Sequence, residues 1–166
     1  MRKVVVAAFI ILNLWLSGHC LAQSVGGEVG QFAPDFTLNH IQGSPFRLQD
    51  VRGERPIYLV FWSTWCSTCR KEIPRLRKVR EVYGNELELI AINSGLAEQP
   101  EKVKNFIETY EMSYRNLYDQ GSQVTLLYGV VGVPTHFIID RKGIIIYRGT
   151  HLPENLDQII TEMKRK

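Results

Sequence analysis

The chain has 166 residues, of which 45% are hydrophobic and 22% are charged. This balance is typical of a single globular domain with a real core, and it excludes a disordered or fibrous protein. The formal net charge is +3. Many of the basic residues are interleaved with apolar positions on one predicted helix, as expected for a solvated helix face, so we expect no nucleic-acid partner.

The first 22 residues differ from the rest and predict an export signal. Arg2 and Lys3 precede an apolar run at 4–16, and Ala22 ends a plausible cleavage site. Cleavage would remove two positive charges and leave a nearly neutral chain that begins at Gln23. We therefore expect an exported protein, periplasmic or otherwise extracytoplasmic.

Two alternatives for this segment stay open. Asn13 interrupts the apolar run, which is shorter than the roughly 20 residues that span a bilayer, so a cleaved signal is favoured over an uncleaved membrane anchor. A lipoprotein signal would be acylated at Cys20, but His19 and Ser17 do not fit the residues that normally precede such a cysteine. Cleavage after Ala22 would remove Cys20, one of the three cysteines.

After the signal we predict a flexible tether at 23–31 and one folded domain at 32–166. The apolar spacing alternates between strand and helix periods, which implies a core of parallel strands flanked by helices. Turn residues at 41–45 predict a hairpin at one sheet edge, and the short turn at 141–143 makes the last two strands antiparallel. The predicted strands are 57–62, 87–92, 115–118, 136–140 and 144–148, and the predicted helices are 66–83, 101–110, 122–128 and 153–166.

The segment Cys66-Ser67-Thr68-Cys69 follows a predicted buried strand and opens a predicted helix. Two residues between the cysteines let both sulfurs lie on one helical turn, so a disulfide can open and close with little backbone movement. Thiols in this setting have pKa values of roughly 3.5 to 7.5 instead of about 8.5, because the helix N-terminus favours the thiolate. The pattern predicts a redox-active dithiol. A zinc site would need more ligands than the scattered His40, His136 and His151 supply.

Residues 33–38, 61–74 and 128–140 carry motifs that recur in the same order, and at the same spacing, in one known family. They resemble the thioredoxin superfamily, and specifically its exported branch typified by the TlpA, ResA and CcmG (DsbE) thiol-disulfide oxidoreductases. The resemblance implies an α/β thioredoxin fold, with a central mixed sheet flanked by helices and an N-terminal β-hairpin extension. It also implies thiol-disulfide exchange, which needs no cofactor and no metal.

The resemblance assigns roles at the candidate site. Cys66 would attack a client disulfide and form a mixed disulfide, and Cys69, expected to be the more buried of the two, would resolve it. The segment Val133-Pro134-Thr135 is similar to the family's cis-proline loop, which would offer backbone groups to an extended client segment. Trp65 would shape the rim of the site and pack on a docking partner, whereas we expect Trp62 in the core.

Glu72 is the candidate proton carrier. It follows Cys69 by three residues and lies on the inward stripe of the predicted helix, where a solvated glutamate is not expected. A carboxylate there would be partly desolvated and able to exchange a proton with Cys69, as in the ResA-like branch. The alternative is a surface carboxylate paired with a neighbouring Arg or Lys. For His136 we expect only that it fills space beside the site.

The leading hypothesis is an exported reductant of selected protein disulfides, such as the cysteines of apocytochromes c or of haem-attachment proteins. The resemblance implies a membrane electron donor of the DsbD or CcdA type, because the export compartment is oxidising. We expect a monomer. Two other hypotheses are a peroxidase, since residues 33–38 also resemble the opening of peroxiredoxins, and a copper-site assembly or binding module on the same fold. The residues before Cys66 depart from the peroxiredoxin pattern, and the cysteine spacing departs from that usual in the copper modules.

Overall fold

The computed structural model describes residues 23–41 and 43–165. The predicted export signal at 1–22, with Cys20, lies outside the described residues. Within the described part of the chain, none of the helices combines the length and the apolar character that crossing a membrane requires.

The described residues form seven β-strands in one mixed sheet. The strands are β1 (Thr37–His40), β2 (Pro45–Arg47), β3 (Ile57–Trp62), β4 (Glu88–Asn93), β5 (Arg115–Tyr118), β6 (Thr135–Ile139) and β7 (Ile145–Gly149). Their order across the sheet is β2-β1-β5-β4-β3-β6-β7. β3, β4 and β5 run parallel, while the β1-β2 hairpin, β6 and β7 are antiparallel to their neighbours. The predicted mixed sheet, with its N-terminal hairpin at one edge, is confirmed.

Four α-helices belong to the described part of the chain: α1 (Ser67–Tyr83), α2 (Pro100–Thr109), α3 (Gln123–Leu127) and α4 (Leu156–Arg165). The first three begin and end within one residue of their predicted bounds. The predicted start of the last helix at residue 153 is wrong, because buried Leu152 and Pro153 precede a turn, and α4 begins only at Leu156.

Alternate residues of β3 serve two cores, because successive side chains of a strand point to opposite faces of the sheet. The even-numbered side chains from Tyr58 to Trp62 pack with buried residues of α1, α2 and α4. The odd-numbered side chains from Ile57 to Phe61 pack with α3 and the N-terminal hairpin. Cys66 and Cys69 belong to the first core, so β3 and α1 together position the candidate dithiol.

The segment ahead of the hairpin lies along β7. Ile145 exchanges two backbone hydrogen bonds with it, donating to Gln31 at 2.9 Å and accepting from Gly30 at 2.8 Å. Arg148 of β7 donates to the carbonyl of Gly27 and to that of Gly129. These contacts join the segment to the chain that leads toward β6, while the interpretation of 23–31 as a flexible tether stays a prediction.

Candidate active site

The two cysteines lie at the turn between β3 and α1. Cys66 is the N-cap residue of α1, and Cys69 lies in its first turn. Their sulfurs form a disulfide with a Cα–Cα distance of 5.3 Å. Ser67 and Thr68, the two residues between them, are exposed. The structure therefore holds the pair in its oxidised form at the helix N-terminus.

The surroundings of the two sulfurs differ, although their exposure does not. Cys66 and Cys69 each expose 6% of their surface, so the prediction that Cys69 is the more buried residue is wrong for this oxidised form. The Cys66 sulfur accepts the backbone N–H of Cys69 at 3.0 Å and lies 3.5 Å from the carbonyl oxygen of Val133. In the reduced form, the same N–H and the helix dipole would favour a thiolate at Cys66.

The loop before β6 faces the cysteines. The Val133–Pro134 peptide bond is cis, and the Thr135 hydroxyl donates to the Gly132 carbonyl at 2.6 Å. Because β6 pairs with β3, the start of β6 and the end of β3 meet at one edge of the sheet. The structure thus brings the predicted Val133-Pro134-Thr135 segment to Cys66, 67 residues away in the chain.

Exposed apolar side chains surround the cysteine pair. Trp65 is 52% exposed, and its indole N–H donates to the Leu96 carbonyl at 3.0 Å, which fixes the ring at the rim. A shallow pocket between Trp65 and the cis-proline loop is lined further by Leu96, Leu126 and Val131, all exposed. Trp62 is 3% exposed, which confirms its place in the core.

Glu72 points into the first core. It is 7% exposed and lines a small internal cavity together with Cys69, Trp62 and Tyr114. Its carboxylate makes no ion pair with Arg or Lys among the described residues, and its Oε2 lies 3.1 Å from Nε2 of His136. These two atoms are at contact distance without hydrogen-bond alignment, and neither has another hydrogen-bond partner among the described side chains and backbone.

His136 is fully buried between Glu72 and a phenol. It exposes none of its surface, and its Nδ1 lies 2.9 Å from the hydroxyl of Tyr58, which is also buried. Burial, with the nearby Glu72 carboxylate as the next cause, raises the pKa of Tyr58 well above its ordinary value. Burial likewise raises the pKa of Tyr114, against the opposing charge of Arg77. Both phenols therefore stay neutral at any physiological pH.

Glu98 is a part of the site that the sequence analysis missed. Its carboxylate accepts the backbone N–H and, at 2.8 Å, the hydroxyl of Thr64, two residues before Cys66. Asn93 donates to the same carboxylate at 3.4 Å. Glu98 thus anchors the turn that carries Trp65 and Cys66. No local sequence signal marks this role, because 34 residues separate Glu98 from Thr64.

No three His, Cys, Asp or Glu side chains converge as a metal-binding group within residues 23–41 and 43–165. The residues at the site support thiol and proton chemistry. A dithiol can exchange with an external disulfide, and a nearby buried carboxylate can exchange a proton with it.

Comparison with known proteins identifies the family. The chain matches the model of the AhpC/TSA family over residues 29–148. Thioredoxin-like protein YneN of Bacillus subtilis is 34% identical over 166 residues, which cover 95% of this chain and 96% of the relative. Thiol-disulfide oxidoreductase ResA of Geobacillus thermodenitrificans is 32% identical over 168 residues, which cover 99% of this chain and 95% of the relative.

Solved structures show the same fold. A DsbE-type thiol:disulfide interchange protein from Chlorobium tepidum superimposes with a TM-score of 0.68 at 26% identity, covering 84% of this chain and 95% of that protein. A thiol-disulfide oxidoreductase from Bacteroides fragilis gives a TM-score of 0.70 at 21% identity, over 80% of this chain and 99% of that protein. The chain belongs to the AhpC/TSA family, and it is a thiol-disulfide oxidoreductase with a thioredoxin fold, similar to ResA and YneN.

Proposed function

We propose that this oxidoreductase works as an exported reductant, with Cys66 as the attacking cysteine, Cys69 as the resolving cysteine and Glu72 as the proton carrier of Cys69. The observation that carries the proposal is the asymmetric placement of the pair. Cys66 lies beside the cis-proline loop, where a client would bind, and Cys69 lines the internal cavity that it shares with Glu72.

The first step joins the client to Cys66. The Cys66 thiolate attacks one sulfur of the client disulfide, a mixed disulfide forms, and the other client sulfur leaves as a thiolate. The backbone N–H of Cys69 and the α1 dipole favour the attacking thiolate. The rim formed by Trp65 and the Val133-Pro134-Thr135 loop would hold the client segment on either side of the sulfur.

The second step releases the client. Cys69 attacks the Cys66 sulfur, the pair closes to the disulfide seen in the structure, and the second client sulfur leaves as a thiolate. Two electrons have then passed to the client. The Cys69 thiol must lose its proton for this attack, and the Glu72 carboxylate is a buried base on the same cavity.

We further propose a compartment, a class of client and an electron donor for this protein. Export rests on the charged and apolar pattern at 1–22. The proposed clients are apocytochromes c or haem-attachment proteins. In an oxidising compartment the reduced pair would be regenerated by a membrane dithiol donor of the DsbD or CcdA type.

The equilibrium reduction potential, titrated across pH with Glu72→Gln beside the parent protein, tests the proposal. We expect a potential below about −220 mV, on the reducing side of the glutathione range, and a pH dependence that the variant alters. A potential near that of strong oxidants would make the protein a disulfide donor. An unchanged pH dependence in Glu72→Gln would remove the proton-carrier role from Glu72.

A further inference from the structure

We propose that His136 is a positioning residue for the redox cycle: with Tyr58, it holds the Glu72 carboxylate as a base oriented for Cys69. This inference rests on the proposed function and adds two residues, from β6 and β3, to the proton chemistry of α1. His136 is fully buried and lines neither the cavity beside Cys69 nor the shallow pocket at the rim, so its effect would pass through Glu72.

Polar atoms of three buried side chains form a row in the core. The Tyr58 hydroxyl, the two ring nitrogens of His136 and the Glu72 carboxylate follow one another at 2.9 and 3.1 Å. This row of polar atoms runs from β3 through β6 to α1. It ends at Glu72, on the cavity that Cys69 also lines. A fully buried imidazole between a phenol and a carboxylate is unexpected as a space filler, because burial of a polar group is unfavourable unless hydrogen bonds compensate it.

The order of these polar atoms selects one tautomer of the His136 imidazole. The buried Tyr58 phenol keeps its proton, so it can donate to Nδ1 of His136. The neutral ring then carries its own proton on Nε2, the nitrogen that faces Oε2 of Glu72. The N–H on Nε2 then lies at contact distance from Oε2, although without hydrogen-bond alignment in this oxidised form, and the second carboxylate oxygen stays available for the Cys69 proton.

The charged side chains around Glu72 also point to His136 as its partner. Two arginines of α1 lie close to this group of side chains, but Arg75 influences Tyr58 and Arg77 pairs with Glu111 at 2.9 Å. Neither forms an ion pair with Glu72, which leaves His136 as the basic side chain in contact with its carboxylate among the described residues. The groups that face Glu72 or its partners are Cys69, Arg75 and Arg77 on α1, Tyr58 on β3, His136 on β6, Tyr147 on β7 and Tyr114 before β5.

The proton path in the resolving step follows from this arrangement. As the Cys69 sulfur attacks Cys66, its proton passes to Glu72, which becomes a neutral acid while the leaving client sulfur carries the negative charge away. His136 keeps the proton on Nε2 throughout, so the imidazole orients and stabilises the base without a change of its own charge. When the pair is reduced again, Glu72 returns the proton to Cys69.

The test is a single-turnover reaction that separates the two steps. The reduced protein is mixed with an aromatic disulfide that releases one coloured thiolate when Cys66 attacks and a second when Cys69 resolves. The rates of both phases are measured from about pH 5.5 to 8.5 for the parent protein and for Glu72→Gln, His136→Leu, His136→Gln and Tyr58→Phe. Tyr128→Phe is the matched control, because its buried hydroxyl donates to the Pro34 carbonyl in the other core.

We expect the first phase to be unchanged in all the variants. The second phase should slow by about a hundredfold in Glu72→Gln, within the range of general-base effects, and by about tenfold in His136→Leu, with a shifted pH profile. His136→Gln restores a neutral donor toward Glu72 and should recover most of the rate. Tyr58→Phe removes the hydroxyl that selects the His136 tautomer, so its second-phase rate should lie between those of His136→Leu and the parent protein. Tyr128→Phe should have the rate of the parent protein.

Other outcomes would overturn the inference. A parent-like second phase in His136→Leu, beside a slow one in Glu72→Gln, would reduce His136 to packing and leave the proposed function intact. A parent-like second phase in Glu72→Gln would instead remove the proton carrier itself. Equal slowing of both phases in His136→Leu would indicate a general distortion of the site. If His136→Leu does not fold, Tyr58→Phe decides, and a parent-like rate and pH profile of the second phase in Tyr58→Phe would overturn the inference.

Discussion

Two buried glutamates in the described part of the chain have different surroundings. Glu88, at the start of β4, is 6% exposed, and its carboxylate pairs with Arg55 at 2.7 Å and with Arg115 at 2.9 Å. Glu72, on α1, is 7% exposed and makes no ion pair with an arginine or lysine in the described part of the chain; its carboxylate contacts His136 instead. Equal burial therefore accompanies two different electrostatic environments.

The difference separates a structural carboxylate from a candidate chemical one. Two guanidinium groups pair with the Glu88 carboxylate and join three segments of the chain to one another. Arg55 also donates to the Gly84 carbonyl at the end of α1. Glu72 forms no ion pair with an arginine or lysine among the residues that the structure describes, so a change in its protonation leaves no such cation without its partner. A group that must take and release a proton needs this freedom.

The largest expected effect is on stability, at Glu88. Glu88→Gln leaves two arginines without their anion, and we expect a loss of about 3 kcal/mol in the free energy of unfolding, at the low end for a buried pair because both arginines are about a third exposed. Urea denaturation measures it. Glu81→Gln, which breaks an exposed pair with Lys78, is the control and should change stability by less than about 0.5 kcal/mol. If Glu88→Gln lowers the free energy of unfolding no more than Glu81→Gln does, Glu88 is not a structural carboxylate and does not differ from Glu72 in this way.

Glu98 should come next, because its carboxylate accepts two hydrogen bonds from Thr64 at the edge of the site. Glu98→Gln keeps the shape but turns one acceptor into a donor, and we expect a loss of about 1–2 kcal/mol in stability together with slower reduction of a client disulfide. Thr64→Ser keeps both donors and serves as the control. Unchanged activity in Glu98→Gln would show that the anchored turn is not needed for the reaction.

Glu72→Gln should change stability by less than about 1 kcal/mol at neutral pH, because no paired arginine or lysine is left behind and the contact with His136 is not an aligned hydrogen bond that the amide would break. The same urea titration used for Glu88→Gln measures it. The redox chemistry should carry the effect of this substitution instead. A destabilisation as large as that of Glu88→Gln would place Glu72 among the structural carboxylates and contradict the comparison.

The smallest expected effect is a pH dependence at His40, which lies 3.2 Å from Arg115 beside Glu88. Burial, with the Arg115 charge as the second cause, lowers the pKa of His40 below its ordinary 6.5. The unfolded chain then binds a proton more readily than the folded one, so His40 contributes stability above pH 6.5 that is lost as the pH falls below it. His40→Asn should flatten the stability curve slightly on this acid side in urea titrations. An identical curve would remove His40 from the pH response.

Local patterns predicted most of the fold because they record periodicity. β3 is buried at every position and α1 carries its apolar residues on one face, as their spacing requires. The bounds of α4 were less accurate, since a turn with buried Leu152 and Pro153 reads like the start of an amphipathic helix. The spacing of Cys66 and Cys69 predicts the dithiol by itself, whereas the cis-proline loop is predicted only from the resemblance to a known family.

The contacts between distant segments could not be predicted in the same way. Glu98 reaches Thr64 across 34 residues, and His136 reaches Tyr58 across 78. Neither pair has a spacing that marks it, because strand pairing and loop packing bring the partners together. Local sequence patterns therefore predict only a space-filling role for His136 and give no signal for Glu98.

By itself, the sequence determined the dithiol, the alternation of strands and helices, and the inward stripe on which Glu72 lies. These are local properties, set by residue type and by the periods of helix and strand. Only the tertiary structure decided that Cys66 meets the Val133 carbonyl, and that Glu72 faces a histidine whereas Glu88 faces two arginines. The physical reason is that the electrostatic environment of a buried group depends on what the fold packs against it, and the neighbours of these groups come from other strands.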